Sequence, residues 1–275
     1  MKKITFFIIL FSLTNWAFSQ NNFTNGGGDN LWSNAANWSG SVPNSATAKV
    51  VIKNASVIVD GNYTVGQFKL PNANGGGVAT VTVTNQNNGV LTITGQGVTQ
   101  PVQLNLNGQD LIFNCPVVFD ATENATETFR FNSGNQSITF GAGHTLTVND
   151  EITFTAVNLT SDLHFNGSTA GNGNLNFGVK SDVYFGSGYN GSNYGGTLRV
   201  GGGTGNNAVV LTSNVADNGT FLKSGGLIQV DQQGGTVNVN GANTLKGNIT
   251  LTGANSLTLD VNKNQSAVGV ITLGT

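Results

Sequence analysis

From Val50 onward the chain alternates apolar and polar residues in short bursts, each cut off by Gly or Asn. The bursts read VTVT at 81–84, LTIT at 91–94, QLNL at 103–106, LIF at 111–113, FRF at 129–131 and ITF at 138–140. They continue as LTV at 146–148, ITFT at 152–155, LHF at 163–165, LNF at 175–177, VYF at 183–185 and LRV at 198–200. The last are VVL at 209–211, VNV at 237–239, ITLT at 249–252, LTL at 257–259 and ITL at 271–273. A period of two buries one side of a segment and wets the other, so each burst predicts a short β-strand. The intervening GQG, NSGNQ, GAG, NGSTAGNG, GSGYNGSNYGG and GGGTGNN predict turns, because Gly and Asn tolerate positive φ. No segment carries a 3.6-residue apolar period, and helix is not expected.

Strands of three to five residues are short for a sandwich core. They recur every six to fifteen residues without the groups of four that make propeller blades, and the same residue types fill the apolar positions again and again. The expected fold is all-β, a parallel β-helix (β-solenoid) with short coils joined by Gly/Asn turns, in which each coil buries its apolar side only against its neighbours. FRF, LTV and LHF follow one another at intervals of seventeen residues, which suggests one coil of two or three strands. Two stretches stand apart. Residues 20–60 hold Trp32 and Trp38 and read as an N-terminal capping segment, with the solenoid occupying 61–275. Residues 120–128, DATENATET, gather Asp120, Glu123 and Glu127 and read as a loop leaving the stack. The sequence stops at ITLGT in mid-strand pattern with no polar cap, and the expectation is a solenoid that continues past Thr275.

Charge narrows the function classes. Only 9% of residues are charged, against about 25% in ordinary domains, yet the plentiful Val, Ile, Leu and Phe separate the chain from disordered sequences. The formal charge of −2, about −4 without Lys2 and Lys3, excludes the basic footprint of nucleic-acid binding and offers nothing to an anionic membrane. A single cysteine, Cys115, cannot form an internal disulfide and reads as a small buried hydrophobe. The first nineteen residues have signal-peptide anatomy: Lys2 and Lys3, the apolar run ITFFIILFSL, then Ala17-Phe18-Ser19 with cleavage expected before Gln20. That run is too short for the roughly twenty residues of a membrane span, so the expected mature chain is secreted or displayed at the cell surface.

The opening Trp32, Asn37-Trp38, Val42-Pro43, KVVI and VIVDG resembles the start of bacterial autotransporter-passenger and adhesin-type surface proteins. Downstream, GGTLRVGG and GLIQVDQQGGTVNVNGANTL resemble autotransporter-associated β-strand repeats. The resemblance implies a right-handed parallel β-helix on, or released from, a cell surface. The signal-peptide style and Asn-rich body are also similar to type IX secretion cargo of Bacteroidetes, which carries a C-terminal sorting domain that this sequence does not contain.

Reactive chemistry is sparse. Asp60, Asp110, Asp162, Asp182, Asp217, Asp231 and Asp260 each stand among Asn, Gly and Thr. The grouped acids are Asp120/Glu123/Glu127, read as a solvated loop, and Asp150-Glu151, whose side chains would leave a strand on opposite sides. His144 and His164 would lie on neighbouring coils, with Asp162 the nearest further ligand, which is too few for zinc. Trp32 and Trp38 suit a cap over the first coil, or alternatively a sugar-stacking platform. Recurrent Thr-x-Thr would suit an ice-binding face if the rows stacked, although Thr is also an ordinary outward strand residue. No catalytic residue, cofactor or metal site is assigned. The expected function is a non-enzymatic structural or adhesin-like surface protein, whose partners would be surface glycans or other cell-surface proteins. The alternative is a carbohydrate-binding or polysaccharide-degrading β-helix, with Trp32, Trp38, Asp120, Glu123 and Glu127 as first candidates.

Overall fold

Alternating apolar residues can be buried on one side only if something covers that side, and here successive coils enclose a shared interior. The computed structural model describes residues 20–71, 79–94, 104–105, 109–120, 126–131, 136–156, 161–178, 182–200, 209–230, 234–253, 257–266 and 268–274. Their strands form three parallel sheets of eight, eight and nine strands, here sheets I, II and III. One circuit runs from Gln136–Phe140 on sheet III to Thr145–Val148 on sheet I and Glu151–Ala156 on sheet II. It then returns to sheet III at Ser161–Phe165, directly against Gln136–Phe140. This is a β-solenoid with three strands per full coil. A 3-10 turn at Ala35–Asn37 is the one helical element among the described residues.

The coil is longer than the seventeen-residue interval suggests. FRF, LTV and LHF belong to sheets II, I and III, each two strands after the last, so they lie on different sides of the coil and are not equivalent strands. The equivalent residues Leu111, Ile138, Leu163, Val183 and Leu211 form one column, 20 to 28 residues apart. Two segments expected to turn are also strands, Ser168–Gly171 and Asn190–Tyr194, both on sheet I. Turn-forming residues extend here because the coil below offers a parallel ladder; the Ser168 amide, for instance, donates to His144 O at 2.9 Å. Beyond them sheet I ends, and that side continues as stacked turns joined by the Leu222–Leu245 bridge. The side-chain Oε1 of Gln265 accepts from the Thr244 and Leu245 amides at 2.9 and 3.0 Å.

Parallel register sets like residues on like. Phe113, Phe140, Phe165 and Phe185 stack at centroid separations of 5.7, 5.1 and 5.1 Å with their planes within 21°. Phe154 and Phe177 repeat the arrangement on sheet II at 5.8 Å. Each such ring contributes about 1.5–3 kcal/mol through burial. Cys115 lies buried in the same core, where desolvation pushes its thiol up to about 12. On the outside an asparagine column ties turn to turn: Asn240 Nδ2 donates to Asn214 Oδ1 at 2.7 Å, and Asn262 Nδ2 to Asn240 Oδ1 at 2.8 Å. Close coil contact also demands glycine. Gly171 has φ +92°, and a Cβ there would lie 2.1 Å from Val148 O.

Phe165→Ala is expected to lower unfolding free energy by about 3–5 kcal/mol, read as a shifted midpoint in denaturant titration. Gly171→Ala should cost about 1–3 kcal/mol because the backbone must leave both its positive φ and its close approach; an unchanged midpoint would contradict the tight coil packing at that corner.

Candidate functional site

The Trp/Asn-Trp/Pro opening is a hydrogen-bonded plug. Trp32 is fully buried and Trp38 is 5% exposed, so neither indole presents a face on which a sugar could stack. Their ring N–H groups turn inward: Trp32 Nε1 donates to Pro43 O at 2.9 Å, and Trp38 Nε1 to Trp32 O at 2.8 Å. Phe23 and Trp38 meet edge to face at 5.1 Å, Trp32 and Trp38 at 4.9 Å, and Tyr63 stacks on Trp32 at 5.5 Å. Asn37, also fully buried, donates to Asp29 Oδ1 at 2.6 Å and Leu31 O at 2.8 Å and accepts from the Gly27 amide at 2.8 Å. Hydrogen bonds from Asn37, Asn34 and the Leu31 amide hold the Asp29 carboxyl below its ordinary value. Both indoles are thus occupied by contacts within the N-terminal segment and with Tyr63.

Four further described carboxylates likewise hold the fold together. Asp60 accepts from the Ser33 amide at 3.0 Å, joining cap to coil. Asp110 accepts from the Ser137 amide at 2.7 Å, one coil further on. Glu151 pairs with Arg199 at 2.8 Å across the outside of sheet II, while Arg199 Nε donates to Gln229 at 3.3 Å. Asp217 accepts from the Ala242 amide at 2.9 Å and meets Lys263 at 3.0 Å, and these bonds lower its carboxyl. Asp150 lies just before the strand Glu151–Ala156 and does not join Glu151 in a site. Asp120 follows the strand Val117–Phe119, and its amide donates to Ile93 O at 3.1 Å. Glu123 lies outside the described residues. Glu127 belongs to the strand Thr126–Phe131, so that part of the expected loop is paired backbone on sheet II.

The structure does assemble one group that the linear sequence separates. On sheet III, Leu163 pairs with Val183 and His164 with Tyr184, which puts Asp162 and Asp182 at matching positions on strands about 4.8 Å apart. The His164 and Tyr184 rings stack at 5.1 Å with an 11° interplanar angle, and Tyr184 Oη donates to Asp182 Oδ2 at 3.2 Å. Desolvation raises the Asp162 carboxyl, His164 opposes that shift and Asp182 adds to it. Desolvation and then Asp182 raise the Tyr184 hydroxyl. The readable signal was the pair SDLHF at 161–165 and SDVYF at 181–185, the same outward-inward pattern on successive coils. His144 is not part of this group; it precedes Thr145–Val148 on sheet I.

Among the described residues no three His, Cys, Asp or Glu side chains are placed to hold a metal ion. Among the described residues threonines pair singly, as Thr128 with Thr153 and Thr250 with Thr272, but whole Thr-x-Thr rows do not continue from coil to coil: Thr80, Thr82 and Thr84 pair with Asp110, Ile112 and Asn114, and Thr153 pairs with Asn176 on its other side. Compared with known proteins, the chain matches no family model, no curated protein and no solved structure. What fold and surface define is a class, the parallel β-solenoids with an aromatic N-terminal plug.

Trp38→Phe should cost about 1–3 kcal/mol, because Trp32 O loses its donor inside the cap, and the loss should appear in thermal melts. A carboxyl raised in the folded state penalises folding once ionised, so stability contributed at low pH is lost as pH rises through and above 3.8. Asp162→Asn is therefore expected to melt above the parent protein at about pH 7 and level with it near pH 2.5.

Proposed function

We propose that the chain is an exported, non-catalytic surface protein of the adhesin and autotransporter-passenger type, a stiff β-solenoid that presents its outer sheets for contact with surface glycans or other cell-surface proteins. The observation that carries this reading is the use of the carboxylates: Asp29, Asp60, Asp110, Glu151 and Asp217 are all engaged in joining the cap or the coils. Acids committed to neighbouring coils favour rigidity over turnover, because a general acid or base must be free to exchange its proton with a substrate. The apolar first segment with Lys2 and Lys3 supports export. Expression of the whole chain in a Gram-negative host should yield protein outside the cytoplasm whose N-terminus is Gln20. Cytoplasmic retention of the uncleaved chain would overturn this reading.

A second reading, a polysaccharide-degrading solenoid, draws on the Asp162–Asp182 pair. Neighbouring carboxylates, one of them raised, are the arrangement by which glycosidases divide the roles of acid and nucleophile. It requires that the protein release reducing ends from a polysaccharide, and that Asp162→Asn and Asp182→Asn each remove at least about 99% of that activity. Activity that survives both substitutions would exclude this pair as the catalytic one.

A further inference from the structure

The segment 23–30 and the residues leading into the sheet III strand Ser56–Val59 enclose a cleft of about 380 Å³ whose lining includes Phe23, Asn25, Asn30, Lys53, Asn54 and Ser56. Its two walls, 23–30 and 53–56, are fixed to one another at both ends. The Phe23 amide donates to Val51 O at 2.8 Å, and the Ile58 amide donates to Asn30 O at 2.8 Å. Each wall is also braced internally: the Asn30 amide donates to Asn25 Oδ1 at 3.1 Å, and the Asn54 amide to the buried Gln109 Oε1 at 2.9 Å. Asn25, Asn30 and Asn54 hold φ values of 53°, 59° and 46°, a left-handed backbone that asparagine adopts more readily than most residues. The cleft is therefore preformed, and a ligand would not have to order its walls.

Its chemistry is selective. Asn30, Lys53, Asn54 and Ser56 make no side-chain hydrogen bond among the described residues, in a region where Asp29, Asn34 and Asn37 are all engaged. Among the described residues Lys53 is the one charged side chain of the lining, and no carboxylate joins it. Amides both donate and accept, as vicinal hydroxyls require, and an ammonium favours a carboxylate. The volume lies at the small end of the range of about 300–1,000 Å³ for ligand clefts, room for roughly one or two sugar rings. We propose that this cleft binds an anionic saccharide, a sugar unit bearing a carboxylate, with Lys53 on the carboxylate and Asn30, Asn54 and Ser56 on the hydroxyls. This names a partner class for the surface-contact reading above and rests on it, whereas binding in solution can be measured wherever the protein resides.

Isotope-labelled protein titrated with digalacturonate, the neutral galactose disaccharide and sodium acetate separates the possibilities by NMR. The expected result is saturable shifts confined to 23–30 and 53–56 with digalacturonate, at least about tenfold weaker binding of the neutral sugar, and no saturation by acetate. Lys53→Gln should weaken digalacturonate binding about tenfold while leaving the melting temperature unchanged, and Asn54→Ala should weaken binding of both sugars. Equal affinity for the charged and neutral sugars, full binding by Lys53→Gln, saturation by acetate alone, shifts elsewhere on the solenoid, or no saturation by digalacturonate would each overturn the proposal. Export of a protein that fails this titration would leave the surface-protein reading standing and remove only the ligand.

Discussion

Coil-to-coil backbone pairing is the constraint on which the rest of the molecule depends. Once each strand donates and accepts along a parallel ladder with the coil beneath it, every inward side chain must sit on an equivalent one. That is why phenylalanines at 113, 140, 165 and 185 form a stack through four coils. The same ladder turns Ser168–Gly171 and Asn190–Tyr194 into strands although their residues favour turns. A half-made ladder leaves backbone groups unpaired, a cost that outweighs local preference.

The ladder also sets what the outside can do. Outward residues form columns along the axis, and a column of polar side chains interacts with itself before it interacts with anything else. Asn214, Asn240 and Asn262 bond in series, and Glu151 reaches Arg199 across intervening sheet. In a chain with so few charges, this self-pairing leaves the Asp162, His164, Asp182 and Tyr184 group as the one place, among the described residues, where titratable side chains gather without being consumed by coil contacts.

The N-terminal end answers a different need. A solenoid's first coil has an open top, and the indoles of Trp32 and Trp38 close it with their N–H groups satisfied by Pro43 O and Trp32 O. Because the plug is tied to the coil at a few points along its margin, it leaves the polar cleft beside Lys53 between those ties. Closing the end and creating a recess follow from the same docking geometry.

Sequence alone determined the local terms. Period-two alternation located the segments from VTVT at 81–84 to ITL at 271–273, the scarcity of helical periodicity excluded helices, and recurrent Val, Ile, Leu and Phe indicated a repeated interior. The Trp32, Trp38 and Pro43 cluster was legible as a segment distinct from the repeated coils. Tertiary structure decided everything that depends on which coil lies beneath which. The seventeen-residue interval is not the coil length, because it joins strands on different sides of the coil; equivalent columns recur at 20 to 28 residues with no fixed period. Asp162 and Asp182 became neighbours, and Thr-x-Thr rows failed to align, for the same reason. Side-chain alternation is fixed by the backbone of a single strand, whereas register between coils is fixed by hydrogen bonds among residues far apart in the chain, and only the fold sums them.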